Sequence, residues 1–272
     1  MQFHRLVKIA ILSVIIFFII YRGICMYRQL DYNKHVYDVD ICSMFPSDAS
    51  RIVTFNKNGL PGNENGLDGF INQISDQIFY PAIIIYKEDK NVFLAKVNYS
   101  QVESIKNILD KELFPGHSPK VKVYKDVRMC IYAGSGDVFL ATAFYNGMFM
   151  ASRDYSLLEE MVDESSSDLY WGKEVDKEFI ERFISKTSAS VFTKWNEIPV
   201  LFEYSKVRHN DSIVTVSGYI LSRDKLAVDS LALTETIGEC VVEDIKISWQ
   251  ENGYPFWEIT LIEPIMIEVD IK

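Results

Sequence analysis

The sequence predicts an α+β fold in which antiparallel sheet is built from hairpins and meanders with helices inserted, preceded by one N-terminal transmembrane helix. Three observations predict it. An apolar run of thirteen residues, Ile9 to Tyr21, lies between basic residues. Between residues 50 and 152, short apolar runs alternate with polar turns, without the repeated strand–helix–strand units of a parallel sheet. From Trp257 to Ile271 the apolar residues keep one parity, which is the period of a strand with one buried face.

The apolar run is predicted to be an uncleaved membrane anchor. Thirteen residues fall short of the roughly 20 that span a bilayer and would suit a signal peptide. However, Tyr21 to Met26 contain no small-x-small cleavage site. A helix from Leu6 to Tyr27 would reach about 33 Å, with Lys8 and Arg22 near its ends, where their side chains can extend to the interface. A cleaved signal peptide and a buried soluble helix are the alternatives.

We therefore divide the chain into a membrane anchor and linker, residues 1–34, and an extracytoplasmic α+β domain, residues 35–272, with a candidate sub-boundary near 165–173. Basic residues flank both sides of the apolar run, so the positive-inside rule discriminates weakly. The N-terminal tail is very short and has no acidic residue, which favours a cytoplasmic N-terminus. The domain would then lie outside the cytoplasm, in the periplasm of a Gram-negative cell.

Charge restricts the partners of the domain. The first 30 residues contain four Lys or Arg and no acid, which leaves 24 basic against 38 acidic residues in 31–272, a formal net charge of −14. Such a surface repels phosphate backbones, so nucleic acid is excluded as a partner. The expected partners are the lipid bilayer, through the N-terminal helix, and an envelope protein or glycan.

The first elements of the domain are read from apolar spacing. Residues 50–55 read as a strand, and Leu67 to Ile78 as a helix that Phe79-Tyr80-Pro81 ends. Residues 82–86 and 92–97 form a predicted hairpin. Ser100 and Glu103 then predict a capping box at the start of a helix that continues to Leu113 and stops at Phe114-Pro115-Gly116.

A meander of four short strands follows, at 121–124, 128–133, 138–145 and 148–152. Its predicted turns are Lys125-Asp126, residues 134–137 and Asn146-Gly147, the last being the preferred pair for a two-residue hairpin. Asp154 is expected to cap one helix, and residues 175–184 form another. The last third is mostly strand, with a bulge or edge position expected at Glu263-Pro264 because Pro cannot donate to a ladder.

Several short sequence segments of this chain resemble those of uncharacterised single-pass envelope proteins of Bacteroidetes. The segments are Phe45-Pro46-Ser47-Asp48-Ala49, Phe149-Met150-Ala151-Ser152 leading into Leu157-Leu158-Glu159, and residues 211–218, Asp-Ser-Ile-Val-Thr-Val-Ser-Gly. The resemblance covers roughly positions 40–222. It implies an envelope location and transfers no activity or functional residue.

No pattern of ionisable residues predicts a catalytic or metal site. Beyond the anchor, His35, His117 and His209 lie in different segments and form no metal-binding spacing. Residues 134–137, Gly-Ser-Gly-Asp, lack the Lys of a phosphate loop and the spacing of a nucleophile elbow, so a hairpin turn is expected. The acidic pairs Asp38/Asp40 and Glu243/Asp244 are expected at solvated edges, because neighbours on a strand point to opposite faces.

Cysteine, tryptophan and asparagine leave open alternatives. Cys42, Cys130 and Cys240 match no zinc pattern and are expected as buried thiols, with one disulfide as the alternative in an oxidising compartment. The four tryptophans are expected in the core rather than in a glycan or peptide groove. Two sequons, at Asn98 and Asn210, matter only in a eukaryotic secretory pathway. The tryptophans are Trp171, Trp195, Trp249 and Trp257.

The sequence thus assigns no catalytic, cofactor-binding or metal-binding residue, and no cofactor. The leading hypothesis is a membrane-tethered, non-enzymatic domain that binds or scaffolds another envelope component. The alternatives are an envelope hydrolase with a carboxylate-based site assembled from distant segments, which would need two facing acids in a pocket, and a purely structural subunit, which should display a large exposed apolar patch.

Overall fold

A computed structural model of the chain describes residues 2–39, 46, 48–57, 67–116, 118–133, 139–164, 177–195, 198–203, 208–210, 213–222, 224, 228, 236–237, 240–250 and 254–262. Several sequence-based predictions lie outside these residues: the turn at 134–137, the sub-boundary at 165–173 and the bulge at Glu263-Pro264. The described part contains five α-helices and fourteen strands.

The helices are α1 (Gln2–Asp38), α2 (Asp68–Ile74), α3 (Tyr99–Ile108), α4 (Tyr155–Glu164) and α5 (Lys177–Lys186). A 3-10 turn, Ser75–Gln77, follows α2, and a π-helical turn, Leu109–Leu113, extends α3. The strands are β1 (Arg51–Phe55), β2 (Phe79–Lys87), β3 (Lys90–Lys96), β4 (Lys120–Tyr124), β5 (Val127–Ala133), β6 (Phe139–Tyr145), β7 (Met148–Ser152), β8 (Ala189–Trp195), β9 (Ile198–Glu203), β10 (Arg208–Asn210), β11 (Ile213–Ile220), β12 (Thr236–Ile237), β13 (Cys240–Trp249) and β14 (Pro255–Ile262).

All strands belong to one antiparallel sheet, which confirms the predicted α+β class. Its order is β12-β13-β14-β11-β9-β8-β1-β2-β3-β7-β6-β5-β4, with β10 paired to β11. Strand β1 lies between β2 and β8, with Val53 opposite both Ile84 and Val191. Strands from both sides of residues 165–173 therefore share one sheet.

Helices cover both faces of the sheet. On one face, α2 and α3 pack through Phe70, Ile71, Ile74, Ile105 and Leu109; we call this the α2/α3 face. On the opposite, α4/α5 face, the covering side chains are Leu157, Leu158, Met161, Val162, Ile180 and Ile184. The result is three layers, because each sheet face has its own apolar set and each needs a cover.

The central strands lack the polar–apolar alternation expected of antiparallel sheet. Residues 82–86 of β2, 91–95 of β3 and 148–152 of β7 are buried at every position. Continuous burial is the pattern of strands covered on both faces, and here the two helical layers produce it without a parallel sheet.

Turn and cap chemistry explains several element boundaries. Asn146 and Gly147 have φ of 47° and 75°, as the predicted Asn-Gly hairpin requires.

The predicted capping box at Ser100 and Glu103 is wrong. The helix begins two residues earlier, with the Asn98 side chain accepting from the Gln101 N–H (2.9 Å) and the Gln101 side chain accepting from the Asn98 N–H (2.8 Å). Asn is as good an N-cap as Ser, so the same spacing works in the earlier register.

The N-terminal helix is longer than the sequence predicted. Helix α1 has 37 residues, about 55 Å at roughly 1.5 Å per residue. Its segment Ile11–Lys34 is long and apolar enough to cross a membrane, and none of its most apolar window is buried within the protein. A segment of this kind, near the N-terminus, is a single-pass membrane anchor or a signal sequence.

The last turns of α1 contact the domain. Val36 is fully buried and lies against Gly147 in the β6–β7 turn, where a Cβ added to the glycine would approach Val36 Cγ2 to 2.7 Å. One turn earlier, the Tyr99 N–H donates to Asn33 Oδ1 at 2.9 Å, and the rings of Tyr32 and Tyr99 pack edge-to-face. The apolar helix therefore continues without a break into residues that pack against α3 and the sheet.

A third apolar cluster lies on the C-terminal part of the sheet. Phe202 packs both against this cluster and against the apolar residues of the α2/α3 face, so the two are on the same side of the sheet. Trp257 and Ile259 are buried there, as the parity of this strand predicted. Gly218 of β11 lies against β9 so closely that a Cβ would come within 2.0 Å of the Leu201 carbonyl oxygen. A side chain at position 218 is therefore incompatible with this strand pairing.

Candidate binding cavity

A cavity of about 510 Å³ lies at one end of the sheet, on the α2/α3 face, between α3 and the strands β4, β5 and β6. This size falls within the range of small-molecule sites, about 300–1,000 Å³. The cavity exists because β4 is the last strand of the sheet and α3 covers it incompletely, which leaves Val121 and Val123 exposed. Its lining joins charged, polar and apolar groups.

The helical wall of the cavity consists of Val102, Lys106 and Asp110. These residues are four apart, so they form one row along the helix and its π-helical extension. The Lys106 ammonium pairs with Glu103 on the solvent side at 3.0 Å and lies 5.8 Å from the centre of the Phe144 ring on the opposite wall. The helix thus presents a cation at the middle of the row and a carboxylate at its end.

The sheet wall is formed by alternate residues of three strands. Arg128, Cys130 and Tyr132 come from β5, Thr142 and Phe144 from β6, and Val121 from β4; Ser118 and Pro119 complete the rim. Period-2 alternation places all three β5 residues on one face. Met129 of β5 pairs with Ala143 of β6. The two strands are antiparallel, so the residue before Met129, which is Arg128, neighbours the residue after Ala143, which is Phe144. Both therefore lie at the same end of the cavity.

The opposite end is closed by a hydrogen bond between the two walls. The Tyr132 hydroxyl donates to Asp110 Oδ1 at 3.0 Å, and the Tyr132 ring stacks on Phe114 with centroids 5.1 Å apart. Burial, together with this bond to a carboxylate, raises the pKa of Tyr132 well above its ordinary value. Tyr132 therefore stays a neutral hydrogen-bond donor, and its bond to Asp110 joins the two walls at this end of the cavity.

The two ends of the cavity consequently differ in charge. Lys106 and Arg128 flank Phe144 at one end, while the carboxylate of Asp110 at the other is already engaged by Tyr132. Among the described lining residues Asp110 is the single acid, so the facing pair that the hydrolase hypothesis requires is not found among them. Within the same part of the chain, no group of three His, Cys, Asp or Glu side chains is arranged to hold a metal ion.

Of the candidate site residues singled out from the sequence, those that the structure describes lie outside the lining of this cavity, with one exception. Glu243 and Asp244 are both exposed on β13, and Asp244 pairs with Lys246 at 3.1 Å. Asp40, His117 and residues 134–137 lie outside the described residues, as do the side chains of Asp38, His35 and His209. The exception is Cys130, a free, half-buried thiol in the cavity wall.

The remaining candidates divide between core and surface. Trp257 is buried and packs edge-to-face on Phe202, whereas Trp249 is 43% exposed near the edge of the sheet. Asn98 is occupied as the cap of α3. Outside the described residues lie Trp171, Cys42 and Asp211-Ser212 of the second sequon, and the side chains of Trp195, Asn210 and Cys240.

Sequence reasoning singled out Cys130 as a thiol and assigned no functional role to the other lining residues. A signal was nevertheless present: Lys106 and Asp110 continue the row of Val102 at four-residue spacing, where a covered helix would carry apolar residues. Likewise Arg128 and Tyr132 share the parity of Cys130 on a strand. Joining these two rows requires the strand order and the seating of α3, which local patterns do not contain.

Comparison with known proteins adds little to the geometry. No protein-family model matches this chain, and no curated protein matches it. Among solved structures, crystal form I of TP0453 aligns over 83% of this chain and 94% of its own, at 8% sequence identity and a TM-score of 0.37. A likeness at that score carries no argument about function, and the resemblance to envelope proteins of Bacteroidetes stays a prediction.

Proposed function

We propose that this chain is a single-pass membrane protein whose globular part works at the bilayer surface of the cell envelope as a non-enzymatic binding or scaffolding domain. The observation that carries the proposal is α1: its apolar segment Ile11–Lys34 is exposed, yet its next turn is buried in the domain at Val36. About 20 helical residues cross the hydrocarbon core, so the domain would begin directly at the interface.

An uncleaved anchor is supported by the sequence around Tyr21 to Met26, where bulky and charged residues stand at the positions that a signal peptidase reads. The contacts of α1 with the domain come from residues beyond that region: Asn33 accepts from the Tyr99 N–H, and Val36 packs on Gly147. Because α1 is one continuous helix from the apolar segment to these residues, an anchor that stays attached would fix the orientation of the domain relative to the membrane.

For orientation we propose a cytoplasmic N-terminus and a domain outside the cytoplasm. Residues 1–8 carry Arg5 and Lys8 and no acidic residue. The acidic domain would then face the envelope, where its net charge of −14 disfavours nucleic acid and leaves an envelope protein or glycan as partner.

Fractionation and protease protection test the anchor and its direction. The full-length chain should remain in the membrane pellet after carbonate washing, and added protease should digest the domain only when it reaches the outer side of the membrane. Replacing Ile15 and Ile16 by Arg at the centre of the apolar run Ile9 to Tyr21 should release the chain, since an Arg at the centre of a spanning helix costs about 2.5–3.5 kcal/mol. Val123→Arg, at an exposed position of the domain, is the matched control that should stay in the pellet.

Two results would contradict the proposal. One is a mature protein that lacks the first 30 residues and appears in the aqueous fraction. The other concerns the binding role: a pull-down from detergent-solubilised membranes that recovers no partner above background would leave the scaffold without a function. Turnover of an envelope ester or glycoside by the purified protein, abolished by Asp110→Asn, would favour the hydrolase alternative.

A further inference from the structure

We propose that the cavity between α3 and β4–β6 binds a single-chain anionic amphiphile, with its carboxylate or phosphate between Lys106 and Arg128 and its apolar tail directed toward the Tyr132 end. The inference rests on the proposed function, because it takes the ligand from the bilayer to which α1 attaches the domain. It names a ligand class for a cavity to which sequence reasoning assigned no role.

The charge distribution selects the sign of the head group. Two cations from different walls, Lys106 of α3 and Arg128 of β5, line the same cavity. The Lys106 ammonium lies 5.8 Å from the centre of the Phe144 ring, and Arg128 neighbours Phe144 in the pairing of β5 with β6. Within the described part of the chain, no ion pair or hydrogen bond occupies the Arg128 guanidinium, whose five donors suit a carboxylate or phosphate. The pairing of Lys106 with Glu103 lies at the surface, where such pairs contribute little to stability, so a ligand anion can replace it.

The Tyr132 end of the cavity offers no free partner for a second charge on the ligand. Asp110 is the acid that a cationic ligand would need, but it already accepts from Tyr132, and Phe114 stacks on that ring. The groups between the two ends are Val121, Cys130 and Thr142, which offer mainly apolar surface with a thiol and a methyl-bearing hydroxyl. A polar ligand such as a sugar would leave most of its hydroxyls unpaired against this wall, whereas an alkyl chain would not.

The position of the cavity indicates that the ligand comes from the bilayer. Tyr99, which bonds to α1, is three residues before Val102, about 4.5 Å along α3. The Asn146-Gly147 turn, which packs on Val36, is two residues after Phe144, about 7 Å along the strand. The cationic end is therefore the end nearest to the docked α1, where lipid head groups would lie.

The test measures protection of Cys130, the free thiol in the wall, from alkylation by iodoacetamide, read by mass spectrometry of its peptide. The full-length protein is held in phosphatidylcholine nanodiscs. One arm adds dodecanoate from solution, and a second presents lysophosphatidate within the bilayer; dodecanol and lysophosphatidylcholine are the respective probes without a net charge. We expect both anions to slow alkylation and the matched probes to do so much less.

Variants connect the protection to the two cations. Arg128→Gln should weaken protection by dodecanoate about tenfold or more, as expected for the loss of a charge-assisted bond. Lys111→Gln removes an exposed cation from the π-helical extension of α3 without touching the cavity and should change it by less than about twofold. Val102→Phe fills the cavity from a partly exposed position and should abolish protection by every probe; its thermal unfolding reports whether it folds.

The outcomes separate this inference from the proposed function. Protection equal for charged and matched probes, or unaffected by Arg128→Gln, overturns the anionic-head assignment. Protection by dodecanoate without protection by lysophosphatidate refutes the bilayer as source. Absence of protection in both arms refutes the cavity while leaving the anchor intact, since fractionation measures the anchor independently.

Discussion

The contact between α1 and the domain can be tested at Gly147, which combines two constraints. Its φ is +75°, and an added Cβ would meet Val36 Cγ2 at 2.7 Å. The left-handed backbone costs an L-residue about 1–2 kcal/mol, and overpacking a buried contact costs about 1–3 kcal/mol. Gly147→Ala should therefore lower the free energy of unfolding by about 2–5 kcal/mol.

Two further variants divide this cost into its parts. Gly116 has φ of +82° and nothing within 4 Å of the position that a Cβ would take, so Gly116→Ala should cost only the backbone part, about 1–2 kcal/mol. Val36→Ala removes two buried methyl groups and should cost about 2 kcal/mol. In the Val36→Ala background, Gly147→Ala should cost less than in the wild type, by up to about 3 kcal/mol, because the Cγ2 contact at 2.7 Å is gone while the contact with the Val36 Cα at 3.0 Å remains.

The assay is thermal unfolding of the full-length protein in detergent, followed by tryptophan fluorescence. A change of 1 kcal/mol corresponds to about 2–4 °C in a chain of this size. Additive effects of Val36→Ala and Gly147→Ala would refute the packing of α1 against the β6–β7 turn. If Val36→Ala also changed the cost of Gly116→Ala, the comparison of single and double variants would be reporting a global change rather than this contact.

Three further predictions concern the domain itself. Asn98→Ala should cost about 1 kcal/mol by removing the cap of α3, whereas Ser100→Ala should be nearly neutral; urea unfolding midpoints check both. Gly218→Ala should cost about 3 kcal/mol or more, seen as loss of folded yield, because its Cβ would lie 2.0 Å from a carbonyl oxygen of the neighbouring strand. Burial of Asp154 opposes ionisation, but hydrogen bonds from Lys90 and from the start of α4 more than offset it and lower its pKa. A lowered folded pKa contributes stability above the unfolded pKa of about 3.9, so the melting-temperature difference between wild type and Asp154→Asn should be constant near neutral pH and shrink as the pH falls below about 4.

Local chemistry explains why most elements were predictable. The Asn146-Gly147 turn, the cap at Asp154 and the end of α3 near Gly116 all depend on residues adjacent in sequence. The capping box moved by two residues because Asn98 and Ser100 are both competent caps, and the choice depends on where the preceding strand ends. Local patterns therefore define an element better than they define its first residue.

The double-sided burial of β2, β3 and β7 and the cavity beneath α3 were not predictable in this way. Whether a strand such as β3 has one covered face or two depends on helices distant in sequence, since α2 and α4 pack on opposite sides of it. The cavity likewise requires β4 to be the edge strand and α3 to lie across β5 and β6. Strand order is a long-range property that period-2 and period-3.6 patterns do not encode.

By itself the sequence determined the exposed apolar helix, the α+β class and the acidic surface, because each follows from composition or from the spacing of neighbours along the chain. Tertiary structure alone decided that Val36 packs on Gly147 and that Lys106, Arg128 and Phe144 line one cavity. The physical reason is that charges and side chains act through distances in space, and residues 106, 128 and 144 become neighbours only when α3, β5 and β6 take their places in one sheet-and-helix stack.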